Sequence, residues 1–298
     1  MSTVAESPAP HRRFAPKRFL QQVLAPALVV AALIGIWQLV VREFDVKPYV
    51  LPAPSSIARE TVTNWHILFP NLRVTVKEML LGFALATGVG VLLGTLIAMS
   101  TVFRRGVFPL VIASQTVPVI AIAPVLVIWF GYDILPRVLV TALIAFFPLT
   151  VNTVTGLRAV DPELVRLFRS LNASRLQIFR KLTFPSGLPY IFAGLKVAAT
   201  LSVIGATVSE WVGADKGLGY QIVTDTSQLE TTRVFAAIFL LSLSGIALYL
   251  LVALLEWVSL PWRHSVRARR RRDLTMSPLW FGESARASRR VSTERRAG

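Results

Sequence analysis

Runs of apolar residues long enough to cross a lipid bilayer recur six times along this chain, and no other feature narrows its fold as far. A crossing helix needs ~20 mostly apolar residues. Segments 23–41, 79–99, 106–131, 138–156, 190–212 and 234–255 meet that length. The last, VFAAIFLLSLSGIALYLLVALL, carries no charge, and Gln38 is the one strongly polar side chain of the first. The first run is too long and uniform for a signal-peptide core and is not followed by a small-residue cleavage site, so it is expected to be retained. The third holds Pro109, Pro118 and Pro124, each of which removes a backbone donor. That span is predicted to be kinked or interrupted, which lipid tolerates only where neighbours or water satisfy the freed carbonyls. The expected fold class is all-α, a polytopic membrane protein of six transmembrane helices.

Charge sets the direction of the spans. The chain is 54% hydrophobic and 16% charged, yet its net charge is +16. Eleven of those charges sit in two tails. The first twenty residues carry Arg12, Arg13, Lys17 and Arg18 against Glu6, and residues 261–298 carry eleven arginines against Asp273, Glu283 and Glu294. Basic tails beside apolar spans report topology rather than nucleic-acid binding, and no nucleic-acid partner is expected. With the N-terminus inside, Arg104, Arg105 and the six bases of 157–189 fall inside as well. The outside segments 42–78, 132–137 and 213–233 offset their bases with acids. Both termini and the 157–189 loop are therefore expected in the cytoplasm. The expected domains are a basic tail (1–22), a spanning domain (23–260) and an arginine-rich tail (261–298) too poor in apolar residues to build a core. Gly82, Ala86, Gly90 and Gly94 form a small-residue stripe, expected to seat a neighbouring helix of the same bundle in preference to a dimer seam.

The loop itself is sharply punctuated. Asp161-Pro162 starts a helix, with Asp as N-cap and Pro at its first position. Leu164, Val165, Leu167, Phe168 and Leu171 supply one apolar face. Asn172 suits the left-handed turn that ends a helix. Ser174 and Gln177 have capping-box spacing for a second short helix, which Phe184-Pro185 is expected to stop. Such a pair could lie flat on anionic headgroups. Short helices joined by a specified turn instead suggest a knob presented to a partner.

The stretch LFRSLNASRLQIFRKLTFPSGLPYIFAGLKVA resembles the EAA-loop signature of inner-membrane permeases of ABC-type importers, and most closely the nitrate/sulfonate/taurine group. VLPAPSSI, LLGFALATGVGVLLGTLIA, VPVIAIAPVLVIWFGYDILPRV, FFPLTVNTVTGLRAVDPEL and SEWVGADKGLGY extend the likeness over almost the whole body. The resemblance implies a type I importer permease in the bacterial inner membrane, paired with a copy of itself. It would work with a cytoplasmic ATPase that holds the ATP and with an extracytoplasmic solute-binding protein. It implies that Arg166, Leu167, Phe168, Leu171, Asn172, Ala173 and Ser174 couple to that ATPase. Arg166-Leu167-Phe168 stand where the family has Glu-Ala-Ala, and Asn172 stands for its usual glycine. The altered surface implies a compensating change in the ATPase, or else weakened coupling.

No cofactor or catalytic role is expected of the chain itself. It lacks a G-x-x-x-x-G-K-[ST] phosphate loop, and His11, His66 and His264 are scattered without metal-ligand spacing. Within the spans as drawn, the ionisable residues are Lys196, expected to reach toward the inner surface, and Glu210, expected near the outer one. Candidate pathway residues are the polar groups at membrane depth: Gln115, Thr116, Asn152, Thr153, Ser202, Ser209 and Glu210. Many of these could equally serve helix–helix hydrogen bonding, and Glu210 is expected to act as an interfacial or gate-supporting acid rather than a ligand. The low span charge favours a small, neutral or weakly charged solute handed over by an external binding protein. VIWFGYDILPRVLVTALIAFFPLTVNTVTGLRAVDPEL and SVIGATVSEWVGADKGLGY look most like permeases for pyrimidine or thiamine precursors and riboflavin. A channel or secondary transporter independent of any ATPase is the rival expectation.

Overall fold

A computed structural model describes residues 16–261, with side chains from Leu24 onward. The expectations for the outermost tails, residues 1–15 and 262–298, lie outside these residues. Every element in the described residues is helical: α1 (Pro16–Glu43), α2 (Pro54–Thr63), α3 (Trp65–Met99), α4 (Thr101–Ala113), α5 (Val119–Phe130), α6 (Ile134–Arg158), α7 (Pro162–Ser170), α8 (Arg175–Ile178), α9 (Phe184–Gly213), α10 (Leu218–Ser227) and α11 (Thr231–Ser259). Five helical stretches are long and apolar enough to cross a membrane, and α4 with α5 makes a sixth if the bent pair is one span. The axes of that pair diverge by 99°. The break falls at the 3-10 turn Ser114–Thr116 and at Pro118, which caps α5 in extended conformation. The expected interruption of the third span is thus a sharp elbow rather than a mild kink.

By internal contacts the chain divides into two units. One comprises residues up to Pro70 with Gln221–Phe239, and the other comprises Asn71–Tyr220 with the residues from Leu240 on. In the first unit, Trp37 of α1 meets Phe235 at 6.1 Å between ring centroids, and the Gln38 amide oxygen accepts from the Ser55 N–H. From Leu24 to Glu43, Val41 is the one buried residue.

In the second unit α6 runs between α3 and α9, and small residues set the spacing on both sides. A Cβ at Gly94 would lie 2.7 Å from the Thr153 Cβ, and one at Gly90 would lie 3.3 Å from Leu149. On α9, a Cβ at Gly194 would lie 2.8 Å from the Asn152 Cβ and one at Gly205 would lie 2.7 Å from the Thr141 Cα. Ala86, Ala142, Ala145, Leu149, Ile191 and Ala198 fill the seam. The glycine stripe therefore seats α6 of its own chain. Close backbone approach replaces a hydrophobic drive that lipid does not supply. The buried Thr141, Thr150 and Thr153 hydroxyls each donate to the carbonyl four residues back, so they add no unmet polarity.

Two sequence expectations need correction. Phe184-Pro185 does not stop the second loop helix: α8 passes through a π-helical turn, Phe179–Thr183, directly into α9, giving 39 continuous residues from Arg175 to Gly213. Pro185 stands in the first turn of α9, where a missing N–H costs little, and the wider π turn relieves its ring from the preceding carbonyls. The ionisable content of the spans was also undercounted. Glu78, Arg137 and Glu256 lie inside α3, α6 and α11, and all three are buried or half-buried.

Candidate functional site

The 157–189 elbow is built as its sequence implies up to the second helix. The Asp161 carboxylate accepts from the Glu163 N–H at 2.8 Å, and Pro162 opens α7. Asn172 takes φ +57°. Its N–H donates to the Arg169 carbonyl at 2.9 Å, while the Ala173 N–H donates to Phe168 at 3.0 Å. This is a complete Schellman termination built on Asn in place of Gly. Ser174 and Gln177 exchange both bonds of the capping box, at 2.7 and 3.2 Å. The apolar face of α7 then divides. Val165 and Phe168 turn inward and are half-buried, whereas Leu164, Leu167 and Leu171 are 44%, 53% and 70% exposed. Leu176 of α8 adds a fourth exposed leucine. Arg166, Arg169 and Arg175 are exposed, and among the described residues none of them forms an ion pair. The seven coupling candidates therefore occupy one short surface element.

The pathway candidates are dispersed. Gln115 and Thr116 occupy the 3-10 turn at the α4–α5 break, both exposed. Asn152 is half-buried and donates to the Pro148 carbonyl at 2.7 Å, and Thr153 is fully buried. Ser202 and Ser209 are buried, each bonding a carbonyl of its own helix at 2.8 Å.

Glu210 has a different occupation. It is 1% exposed and organises the start of α10. The Gly217, Leu218 and Gly219 N–H groups donate to the Asn71 amide oxygen, the Thr75 hydroxyl and the Glu210 carboxylate respectively. Thr75 donates in turn to Glu210 at 2.6 Å. The helix start thus finds three side-chain acceptors, one of them an acid placed where the helix dipole favours it. Beside this cap, the Arg137 guanidinium donates to Glu78 at 2.6 Å, both side chains nearly inaccessible. The Glu78 and Glu210 carboxyl groups are electrostatic neighbours. In the same unit, Lys196 pairs with Glu256.

Within the first unit, Arg233 reaches Glu60 and Asp225, each at 3.2 Å, and Glu230 at 3.9 Å. It joins α2, α10 and α11. Burial pushes the Asp225 carboxyl above the usual aspartate range, against the opposing pull of its Gln221 and Arg233 partners. Sequence reading missed these groups because a hydropathy run ends at the first charge it meets. Glu78, Arg137 and Glu256 each stand one residue beyond a drawn span limit.

Residues 88–256 match the family described as "Binding-protein-dependent transport system inner membrane component". The chain is 42% identical over 243 residues to the formylaminopyrimidine transport permease protein ThiX of Halalkalibacterium halodurans, covering 81% of this chain and 97% of that protein. It is 32% identical over 263 residues to the riboflavin transport system permease protein RibX of Chloroflexus aurantiacus (86% and 98% covered). It is also 32% identical over 250 residues to the putative aliphatic sulfonates transport permease protein SsuC of Bacillus subtilis (83% and 89%). Among solved structures, an inward-facing form of the MetNI methionine ABC transporter is similar in fold. It aligns with TM-score 0.52 at 19% identity, over 64% of this chain and 97% of that one.

Proposed function

Because this chain belongs to the binding-protein-dependent transport system inner membrane components, we propose that its α7–α8 elbow seats the importer's ATPase and that its cargo is a pyrimidine-type precursor. The chain is the membrane-spanning permease subunit of an ATP-driven importer, working with a cytoplasmic ATPase and a solute-binding protein, and is not an enzyme. In the proposed arrangement two copies pair in the inner membrane, lipid covers their outer helices, and both termini and the elbow face the cytoplasm. ATP binding draws the two ATPase subunits and their seated elbows together, opening the pathway outward. Hydrolysis resets it inward.

The observation that carries the seating is the elbow's surface: four exposed leucines beside three arginines that form no ion pair among the described residues, on a turn fixed by five local hydrogen bonds. Covering an exposed leucine is worth about 2 kcal/mol. A rigid apolar knob ringed with cations suits a groove on a folded partner better than a flat bilayer surface. Arg166 in the family's glutamate place fits an ATPase groove with an acid there. The pyrimidine cargo rests on the likeness to ThiX. It also suits a chain in which Arg137 and Lys196 each face a carboxylate that would repel a sulfonate. The chain lacks cysteine, so Leu167→Cys and Ser170→Cys provide clean cross-linking sites. The expected result is a covalent link to the ATPase subunit during uptake. Ongoing uptake with no link to any nucleotide-hydrolysing subunit sinks the assignment.

A further inference from the structure

We propose that the groove between α9 and α11 is the inner station of the solute pathway, binding a flat heteroaromatic solute whose rim carries hydrogen-bond donors and acceptors. This rests on the permease reading above and adds where on the chain the cargo sits. The groove is a cavity of about 480 Å³ lined by Pro189, Ala193, Lys196, Val197 and Thr200 of α9 and by Tyr249 and Glu256 of α11. Its α9 residues recur at helical spacing, so they form one stripe about 16 Å long at 1.5 Å per residue. The volume lies within the range of small-molecule sites.

Its chemistry is unusual for a helix face in lipid. Lys196 and Glu256 form an ion pair whose side chains are 24% and 17% exposed, open to the groove. Ionisable side chains in spanning helices face protein or water rather than hydrocarbon, and they mark solute routes. The groove is therefore wet in the assembled importer.

Recognition follows from the lining. Lys196 offers donors alone, Glu256 offers acceptors, and the Thr200 hydroxyl, spent as a donor on the Lys196 carbonyl at 3.1 Å, keeps its lone pairs. Tyr249 supplies a ring 5.9 Å from the Lys196 ammonium. An amino-substituted pyrimidine sets ring-nitrogen acceptors beside exocyclic N–H donors on a stackable plane, matching all four. A sulfonate or nitrate would gain Lys196 only against the repulsion of Glu256.

The test uses the whole importer in inverted membrane vesicles, with Thr200→Cys as its one cysteine. A charged, membrane-impermeant thiol reagent is expected to label it, and a formylaminopyrimidine is expected to slow the labelling. Lys196→Met should weaken that protection about tenfold, as loss of one charge-assisted hydrogen bond implies. Tyr249→Ala, which leaves the ion pair intact, should weaken it as well. A cysteine inert in the membrane but labelled after denaturation places the groove against lipid and overturns the proposal. Protection by an aliphatic sulfonate and not by the pyrimidine overturns the ligand class. Pyrimidine uptake by the wild-type importer is measured in parallel: absent uptake defeats the cargo reading, whereas uptake without protection defeats the groove alone.

Discussion

At the level of single residues, the cap on α10 is the most demanding constraint in the chain. Gly217 has φ +118°, and a Cβ there would fall inside the Glu210 carboxylate. Gly217→Ala combines a forbidden backbone with overpacking and should cost about 3 kcal/mol, read as a lower unfolding midpoint of the purified protein. The Glu78–Arg137 pair gives a second prediction. Glu78→Ala or Arg137→Ala strands a buried charge and should each cost roughly 3–5 kcal/mol, while the double substitution should cost well under the sum. A double-mutant cycle on unfolding midpoints measures the difference. Asp225 gives a pH prediction. Its pKa is raised on folding, so the folded state favours the protonated form. Its share of stability is full below the ordinary aspartate value of about 3.9 and is lost as pH rises through the raised one. Relative to Asp225→Asn, wild-type stability should fall across that window and then level off. None of these positions stood out in the sequence. A glutamate nine residues before a glycine gives no sign that it caps the helix there, and the Asn71 and Thr75 partners lie more than 140 residues from the N–H groups they accept.

At the level of elements, local chemistry was legible and tertiary compensation was not. Asp161, Asn172, Ser174 and Gln177 act where their side chains and backbone preferences place them, because each cap is decided within five residues. The supposed stop at Phe184-Pro185 failed because the π turn Phe179–Thr183 accommodates the proline, an adjustment that composition does not encode. The glycine stripe on α3 was legible as a packing face, and its partner proved to be α6 of the same chain. Asn172 supplies the element-scale prediction. Proline requires φ near −65° and has no N–H for the Arg169 carbonyl, so Asn172→Pro should dismantle the turn at a cost of about 3 kcal/mol or more. Membrane insertion should be normal and ATP-driven uptake lost. Asn172→Gly, which accepts the same backbone, should transport as wild type. Uptake by the proline variant at the wild-type rate would contradict the seating of the ATPase here.

For the whole molecule, the sequence conveyed the long apolar helices and the span that breaks, five crossings or six if the bent pair is one, while the charged pairs between them appeared only in three dimensions. The proposed orientation can be tested across α6. This helix of 25 residues spans about 37 Å at 1.5 Å per residue, more than the ~30 Å of hydrocarbon. Cysteines placed at Tyr132 and Ser170, beyond its opposite ends, should react with an impermeant reagent from opposite sides, Ser170→Cys from the cytoplasm. The unbroken passage from α8 into α9 has a mechanical corollary. Thirty-nine residues of continuous helix make a rod of about 58 Å. Five degrees of tilt at its Arg175 end would carry its far tip about 5 Å sideways by the same geometry. Glu210 rides three residues from that tip, so motion of the Arg175 end is carried to the residue that caps the start of α10.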